Sequence, residues 1–203
     1  MIDLEELLEE AIEEQGDIKN VTIKNAGLYY KDFEKTGFEN VIFENCRFSQ
    51  CDLSGCSFVN VSFHDCDISN SRWDLAYFKK CQWQSVKGVG CSFVDIIIKE
   101  SVATDCNFQY SNFHQSNVQS SEFTRCDFSH GAITSSRHKK MALSACQIVE
   151  TNFFGTSLAG LDFSDCDMSG LIVSDTLSEL RGAVVNPIQA VELAKLLGIV
   201  VKE

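Results

Sequence analysis

The chain has 203 residues, ten cysteines, a hydrophobic content of 44% and a formal net charge of −12. The acidic balance argues against nucleic acid as a ligand, because the phosphate backbone binds surfaces rich in Lys and Arg. The sequence has no signal peptide, long apolar run or lipidation motif, so it predicts a cytoplasmic protein with no membrane partner.

The first predicted element is a helix over residues 3–14, within an N-terminal capping segment 1–15. Its apolar residues recur at helical spacing and form one stripe, and Asp3 is the predicted N-cap. Residues 1–14 carry seven acids and no base. We expect this helix to cover the exposed strand edges at the end of a repeat structure. The alternative is an acidic docking helix.

A five-residue repeat then runs without a break in register from Ile18 to Val173, in a predicted repeat segment 16–185. Fourteen of the fifteen Phe occupy the same position of this repeat, which we call its centre. All ten Cys lie two residues before a centre. A period of five fits neither a helix nor a long strand, and it indicates short extended segments joined by corners.

Units such as CDLSG, CRFSQ, SNFHQ and CDFSH resemble the pentapeptide repeat family. The resemblance implies an all-β solenoid, a right-handed quadrilateral β-helix with four units and twenty residues per coil. Every twentieth residue then stacks into an inner column, as Ile23, Phe43, Phe63 and Trp83 do. We expect these columns to be core and not a ligand site.

The cysteines are predicted to be reduced structural thiols, because each occupies a small inward position. Neither disulfides nor a metal site are expected, since no Cys and His have ligand spacing. No nucleotide-binding loop, nucleophile elbow or metal motif is present in the sequence. The expectation is therefore a binding protein that is not an enzyme and has no catalytic residue, metal or cofactor.

Three places depart from the repeat. Gly88 and Ala103 occupy centres where large side chains are expected, which predicts a bulge, a dent or neighbours that lean inward. His138 is a centre surrounded by Arg137, Lys139 and Lys140, so we expect a local deformation of the backbone there. After Val173 the register slips by two residues, and the next centres are predicted at Leu180 and Val185. Gly88, Arg137, His138, Lys139 and Lys140 are candidates for an irregular surface.

A second helix is predicted in the C-terminal segment 186–203, with Asn186 as N-cap, Pro187 as first residue and Gly198 at its end. Its polar residues share one narrow stripe, and apolar residues cover the remaining circumference. One side can cap the last coil, but such a helix needs a second partner. We therefore expect a homodimer, with a deeply seated cap as the alternative. The candidate dimerisation residues are Ile188, Val191, Leu193, Ala194, Leu196 and Leu197.

Charge is distributed unevenly along the repeat. Residues 71–100 carry a net charge of +2, whereas residues 141–180 carry six acids and no base. A dimer formed through the C-terminal helices would bring these acids to the middle of a rod as an acidic belt. The belt residues are Glu150, Asp162, Asp165, Asp167, Asp175 and Glu179. Such a surface attracts cationic partners.

The final stretch, and NPIQAVELAKLLGI in particular, resembles the end of Qnr-type quinolone-resistance proteins, closest to those of Gram-positive chromosomes. This resemblance implies a homodimer that binds DNA gyrase and topoisomerase IV by mimicking DNA, with protection from fluoroquinolones as one outcome. Qnr activity often depends on projecting loops. The sequence predicts no such loops in this chain. The alternative is a pentapeptide-repeat scaffold that binds an unrelated cytosolic protein.

Overall fold

The protein is a four-sided rod of short parallel strands with one helix at each end, described by a computed structural model over residues 4–14, 16–33 and 35–202. The elements in chain order are α1 (Leu4–Glu13), β1 (Asp17–Lys19), β2 (Thr22–Lys24), β3 (Gly27–Tyr29), β4 (Gly37–Glu39), β5 (Ile42–Glu44), β6 (Arg47–Ser49), β7 (Ser57–Val59), β8 (Ser62–His64), β9 (Tyr77–Lys79), β10 (Gln82–Gln84), β11 (Ile97–Lys99), β12 (Val102–Thr104), β13 (Asn117–Thr124), β14 (Arg137–Ser144) and α2 (Pro187–Leu196).

The number of residues in one coil follows from the pairing of the strands. In the regular coils, paired residues are parallel and twenty positions apart, as Ile18 and Phe38 are and Ile23 and Phe43 are. Each coil therefore contains four five-residue units and has four faces. The predicted fold class, a right-handed quadrilateral β-helix with a helix at either end, is confirmed.

We number the faces in chain order. Face 1 carries β1, β4, β7, β9, β11 and the first halves of β13 and β14, and face 2 carries β2, β5, β8, β10, β12 and the second halves of β13 and β14. Face 3 carries β3, β6 and isolated bridges that continue to Asp167. Face 4 is held by isolated bridges from Asp32 to Ile172.

The centres point inward and stack as predicted. The rings of Phe38 and Phe58 lie 4.9 Å apart with an interplanar angle of 1°, and those of Phe58 and Phe78 lie 5.0 Å apart. The residue two places after each centre turns the corner, and most of these residues have a positive φ, as Asn20 has at 54°. Asn tolerates this left-handed conformation better than most residues, which explains its recurrence at corners.

Helix α1 covers the first coil. Leu4 and Leu8 are buried in the same core as Ile18 and Ile23. Lys31 forms ion pairs with Glu5 and Glu9. These contacts confirm the predicted cap, whereas the predicted N-cap Asp3 lies outside the described residues.

Gly88 is accommodated by neighbours that lean inward. A Cβ atom at Gly88 would lie 2.9 Å from Phe108 Cδ1 and 3.3 Å from Ile68 Cδ1. Face 3 keeps its register there, since Lys87 bridges both Asp67 and Asn107. Near Ala103 the small side chain leaves an apolar cavity of about 20 Å³ lined by Trp83, Phe108 and other core residues. Gly88 is buried, so its prediction as a surface candidate is wrong.

The predicted deformation at His138 is also wrong. β14 is a continuous strand that pairs in register with β13, with His138 opposite Val118 and Leu143 opposite Phe123. The backbone needs no distortion because the imidazole reaches toward the next coil, where its Nε2 lies 2.6 Å from the carbonyl oxygen of Ser157. The irregularity is that, within the described residues, no backbone hydrogen bond joins β14 to residues 157–164 of the next coil.

The two-residue slip is confirmed. Asn152 still pairs with Ile172, twenty positions later, but Asp162 pairs with Val184, twenty-two positions later. The coil is two residues longer there, and it contains a 3₁₀ turn at Ser178–Leu180. Leu180 and Val185, the predicted centres, are half-buried against the core.

Candidate partner-binding surfaces

Three of the acidic belt residues gather at one corner of the last coil. Asp162 is on face 2, Asp165 turns the corner, and Asp167 is on face 3. All three are exposed, and none has a Lys or Arg partner within the described part of the chain. Glu150 and Asp175 are also exposed but belong to other corners. Glu150 lies 3.2 Å from His130 Nδ1.

Hydrogen bonds keep this corner ionised. The side chain and amide of Ser164 lower the pKa of Asp162. The hydroxyl of Ser144, 2.8 Å from Asp165 Oδ2, lowers the pKa of that carboxyl group. Ser169 acts in the same way on the pKa of Asp167, through its hydroxyl at 2.6 Å and its amide at 3.0 Å. All three are therefore carboxylates at neutral pH.

Glu179 does not belong to the exposed acidic surface, and its prediction as a partner-binding residue is wrong. Its side chain is 4% exposed. The amide of Gly155 donates to Oε1 at 2.9 Å, and the hydroxyl of Ser174 donates to Oε2 at 2.7 Å. Burial opposes ionisation, but these hydrogen bonds outweigh it and lower the pKa of Glu179. Glu179 therefore stabilises the slipped segment as a buried carboxylate.

Gln189 attaches helix α2 to the last coil. Asn186 and Gln189 form a capping box at the start of α2. The Gln189 side chain is 8% exposed, and its Nε2 donates to the carbonyl oxygens of Phe163 and Cys166, each at 2.8 Å. The carbonyls at the end of a solenoid have no further coil to bond, and this amide satisfies two of them. Sequence reasoning placed Gln189 on a polar stripe and missed this role.

The candidate dimerisation residues divide into two sets. Leu193 and Ala194 are half-buried, and Leu193 packs against the core of its own chain. Ile188 is 78% exposed and Leu197 is 67% exposed. Val191 and Leu196 are exposed too, and the apolar surface continues along the tail to Ile199, Val200 and Val201. A groove of about 240 Å³ remains between α2 and the last coil.

Face 1 and its corner with face 2 carry bases without acidic partners. Lys79 and Lys99 are adjacent in the same column, and Lys139 follows two strands later. Lys99 Nζ lies 5.8 Å from the centre of the Tyr77 ring. Within the described ranges, no carboxylate forms an ion pair with any member of the following set: Lys79, Lys80, Lys99, Arg137, Lys139 and Lys140.

The cysteines form part of the core. All ten are buried and free, and most of their thiols donate to backbone carbonyls, as Cys66 Sγ does to Phe43 O at 3.5 Å. Among the residues that the structure describes, no group of three or more His, Cys, Asp or Glu could hold a metal ion. A search of the same residues finds no helix with the length and apolar character that crossing a bilayer requires.

A parallel β-solenoid with side chains in fixed columns defines the class of protein: a repeat rod whose outer surface is available to partners. Two family profiles match the chain, the pentapeptide repeat region over residues 76–153 and the pentapeptide repeats (8 copies) over residues 32–81. Together these matches span 32–153, which is more than half of the chain. The protein belongs to the pentapeptide repeat family.

The chain is similar to several solved structures, and the first of the following three shows the same fold. A trypsin-treated variant of QnrB1, a plasmid-mediated fluoroquinolone resistance protein, is 17% identical with a TM-score of 0.59, covering 92% of this chain and all of that one. Full-length QnrB1 is 20% identical with a TM-score of 0.44, over 91% of this chain and all of that one. HetL from the cyanobacterium Nostoc, involved in heterocyst differentiation regulation, is 9% identical with a TM-score of 0.28, over 91% and 95% of the two chains. A search of curated proteins found no match.

Proposed function

We propose that the protein is a non-enzymatic binding protein that engages a type II DNA topoisomerase, DNA gyrase or topoisomerase IV, by mimicking DNA. Protection from fluoroquinolones is the associated outcome. The proposal draws on the resemblance to the Qnr group, since QnrB1 is a fluoroquinolone resistance protein with the same fold. The observation that carries it is the exposed, unpaired carboxylate corner formed by Asp162, Asp165 and Asp167. A surface that normally meets phosphates attracts such a corner.

The proposed unit is a homodimer that meets through α2. The apolar side chains of Ile188 and Leu197 extend into solvent, and the exposed tail continues the same apolar surface. Exposed apolar surface of this kind marks an interaction site. Pairing through α2 would bring the two acidic corners to the middle of one rod. With Glu179 buried, the belt has five exposed acids in each chain.

The test is a supercoiling and binding assay with purified gyrase, with and without ciprofloxacin. Asp162, Asp165 and Asp167 are changed together to Asn, which keeps shape and the Oδ1 acceptor for Ser164 and Ser169. Exposed charge pairs are screened by salt, so we expect the triple variant to bind gyrase more weakly and with less salt dependence. The fold is expected to survive because all three side chains point outward.

A matched control removes the same charge elsewhere. Glu6, Glu10 and Glu13 are exposed on α1, and changing them to Gln also removes three negative charges. This variant should bind gyrase as the native protein does. If it alone lost binding, α1 would be the docking element. If the Asp-to-Asn variant bound as tightly as the native chain across a salt series, the acidic corner would be only a solvated surface.

The second candidate is a scaffold that binds an unrelated cytosolic protein. The bases on face 1 favour it, because their charge is opposite to that of a DNA mimic. Absence of any effect of the native protein on gyrase, in supercoiling and in direct binding, would make this candidate the better one.

A further inference from the structure

The ladder between the last two coils is open along faces 1 and 2. The amide of Ser135 donates to Phe154 O at 3.0 Å, and the ladder resumes where the amide of Asp167 donates to Cys146 O at 3.0 Å. Between these points, no backbone hydrogen bond within the described residues joins β14 to residues 157–164. On its other side the segment 157–164 pairs with the chain after the slip, as Leu158 N does with Glu179 O.

β14 therefore has a free outer edge. At a regular coil the corner amide donates to the next coil, as Lys80 N does to Lys99 O, and the residue two before a centre accepts, as Cys81 O does from Val102 N. By the same rule Lys140 N and Met141 O face the opening. The alternation within a parallel strand directs the amides of His138 and Leu143 to the same side.

Side chains bridge the opening where the backbone does not. His138 Nε2 contacts Ser157 O at one end, and Ser144 Oγ contacts Asp165 Oδ2 at the other. The interior beneath is apolar and incompletely covered. Met141 and Leu143 are half-buried, whereas most centres in other coils are fully buried. Together with Phe123, Phe128 and Ile148 they line a cavity of about 40 Å³.

The face 1 half of this edge is basic, whereas its face 2 half lies beside the exposed acids Glu122, Asp162 and Asp165. Arg137, Lys139 and Lys140 are exposed on β14, without an ion-pair partner in the described ranges. Lys99 lies two strands away in the same column as Lys139. Glu100 is on the same side but two coils from Lys140 in its column. An occupant of the edge would therefore gain from carrying negative charge on the part that lies along face 1.

We propose that the outer edge of β14 is a β-augmentation site that takes an extended segment of a partner protein as an added strand, with acidic side chains along face 1 only. Backbone donors and acceptors alternate along this edge and match those of a peptide strand. The half-exposed Met141 and Leu143 would receive alternate apolar side chains of that strand. A nucleic acid phosphate chain offers acceptors only, so it would leave Met141 O and the apolar side chains unmatched. The proposal does not depend on topoisomerase binding.

Hydrogen exchange followed by NMR tests whether the edge is free and then occupied. In the free protein the amides of His138, Lys140 and Leu143 should exchange much faster than those of Val118, Ser120 and Phe123, their equivalents in β13. The probe is an acetylated, amidated octapeptide that alternates Glu and Val in the half that lies along face 1, and Thr and Val in the other half. Adding it should slow exchange at the three β14 amides. Amides already protected in the free protein would overturn the proposal, and protection that grows with protein concentration alone would assign the edge to a second copy.

Fluorescence anisotropy with the labelled octapeptide measures affinity. The double variant Arg137→Glu with Lys139→Glu should bind at least about tenfold more weakly, because two exposed attractive pairs become repulsive. The matched control, Lys79→Glu with Lys80→Glu, changes the same charges three coils away and should bind normally. A peptide N-methylated at alternate residues and a Lys–Val peptide should not bind. The proposal would be overturned if the acidic peptide did not bind saturably, or if both double variants lost affinity for it equally. Tighter binding of a ten-residue oligothymidine than of the peptide would also overturn it.

Discussion

The pair Gly88 and Phe108 offers a sharp test of how the core is packed. The two residues are neighbours in the face 3 column, and a Cβ atom at Gly88 would lie 2.9 Å from Phe108 Cδ1. Phe108 is 4% exposed, and its ring lies 5.9 Å from that of Trp83 and 5.6 Å from that of Phe128. The ring thus occupies space that a centre at position 88 would otherwise fill.

The two single substitutions should therefore destabilise for opposite reasons. Phe108→Ala leaves a cavity beside a residue with no side chain, and should cost about 3–5 kcal/mol of unfolding free energy. Gly88→Ala overpacks the site. Its strain of about 1–3 kcal/mol should exceed the gain of up to about 1 kcal/mol from a less flexible unfolded chain. Gly88 is not among the residues with positive φ, so the backbone itself permits Ala.

In the double variant the added methyl group has room. Gly88→Ala should then be neutral or stabilising in the Phe108→Ala background, which gives a favourable coupling of at least about 1 kcal/mol. Urea unfolding of the four proteins followed by circular dichroism measures this cycle. Gly27→Ala is the control and should change stability little, because an added Cβ at this outward position of face 3 would make only an ordinary contact of 3.4 Å with the Tyr29 ring. Additivity within about 0.5 kcal/mol would refute the inward packing of Phe108.

Two further predictions concern the C-terminal part of the chain. Glu179→Gln should lower stability by about 1.5–3 kcal/mol at pH 7, because the amide cannot accept from both Gly155 N and Ser174 Oγ. The folded state lowers the pKa of Glu179, so the carboxylate stabilises above the unfolded value of about 4.3 and its contribution is lost as pH falls through the folded pKa. The difference from the native protein should narrow on acidification in urea melts, and the exposed control Asp175→Asn should show no effect. Leu197→Glu should convert the proposed dimer into a monomer of unchanged fold, whereas Leu193→Glu should also destabilise the monomer because Leu193 packs on its own core. Light scattering that finds the native chain monomeric at micromolar concentration would contradict the dimer.

The regular part of the fold is predictable because one local rule repeats. A period of five with an apolar centre determines which side chains point inward, and the twenty-residue spacing then determines their neighbours. The slip of two residues could also be predicted from the sequence, because Leu180 and Val185 resume the five-residue apolar pattern. Each of these features depends on side-chain polarity and spacing alone.

The features that the sequence did not predict depend on contacts with a neighbouring coil. Glu179 is an acid beside an apolar centre, and its burial follows from the amide of Gly155 that the slipped segment brings to it. Gln189 is the polar residue that faces the rod, because the carbonyls of the last coil need a donor. A capping box after Asn-Pro was a sequence signal for its position but not for these carbonyls. The opening beside β14 is likewise a matter of two coils, since no backbone hydrogen bond joins them within the described residues, and the five-residue pattern of one coil does not specify such bonds.

The location of these departures bears on function. A regular coil can be shifted along the rod by twenty residues without changing its backbone contacts, so regularity alone gives a partner no unique place to bind. Only side-chain differences between columns and breaks in the ladder distinguish one coil from another. In this chain the free edge of β14, the slipped segment and α2 follow one another within residues 137–197. The basic residues Arg137 and Lys139 lie at the face 1 end of β14, and the acidic corner at Asp165 lies at its other end, where Ser144 contacts Asp165. The C-terminal third therefore offers two surfaces of opposite charge, and the charge-removal and charge-reversal variants address them separately.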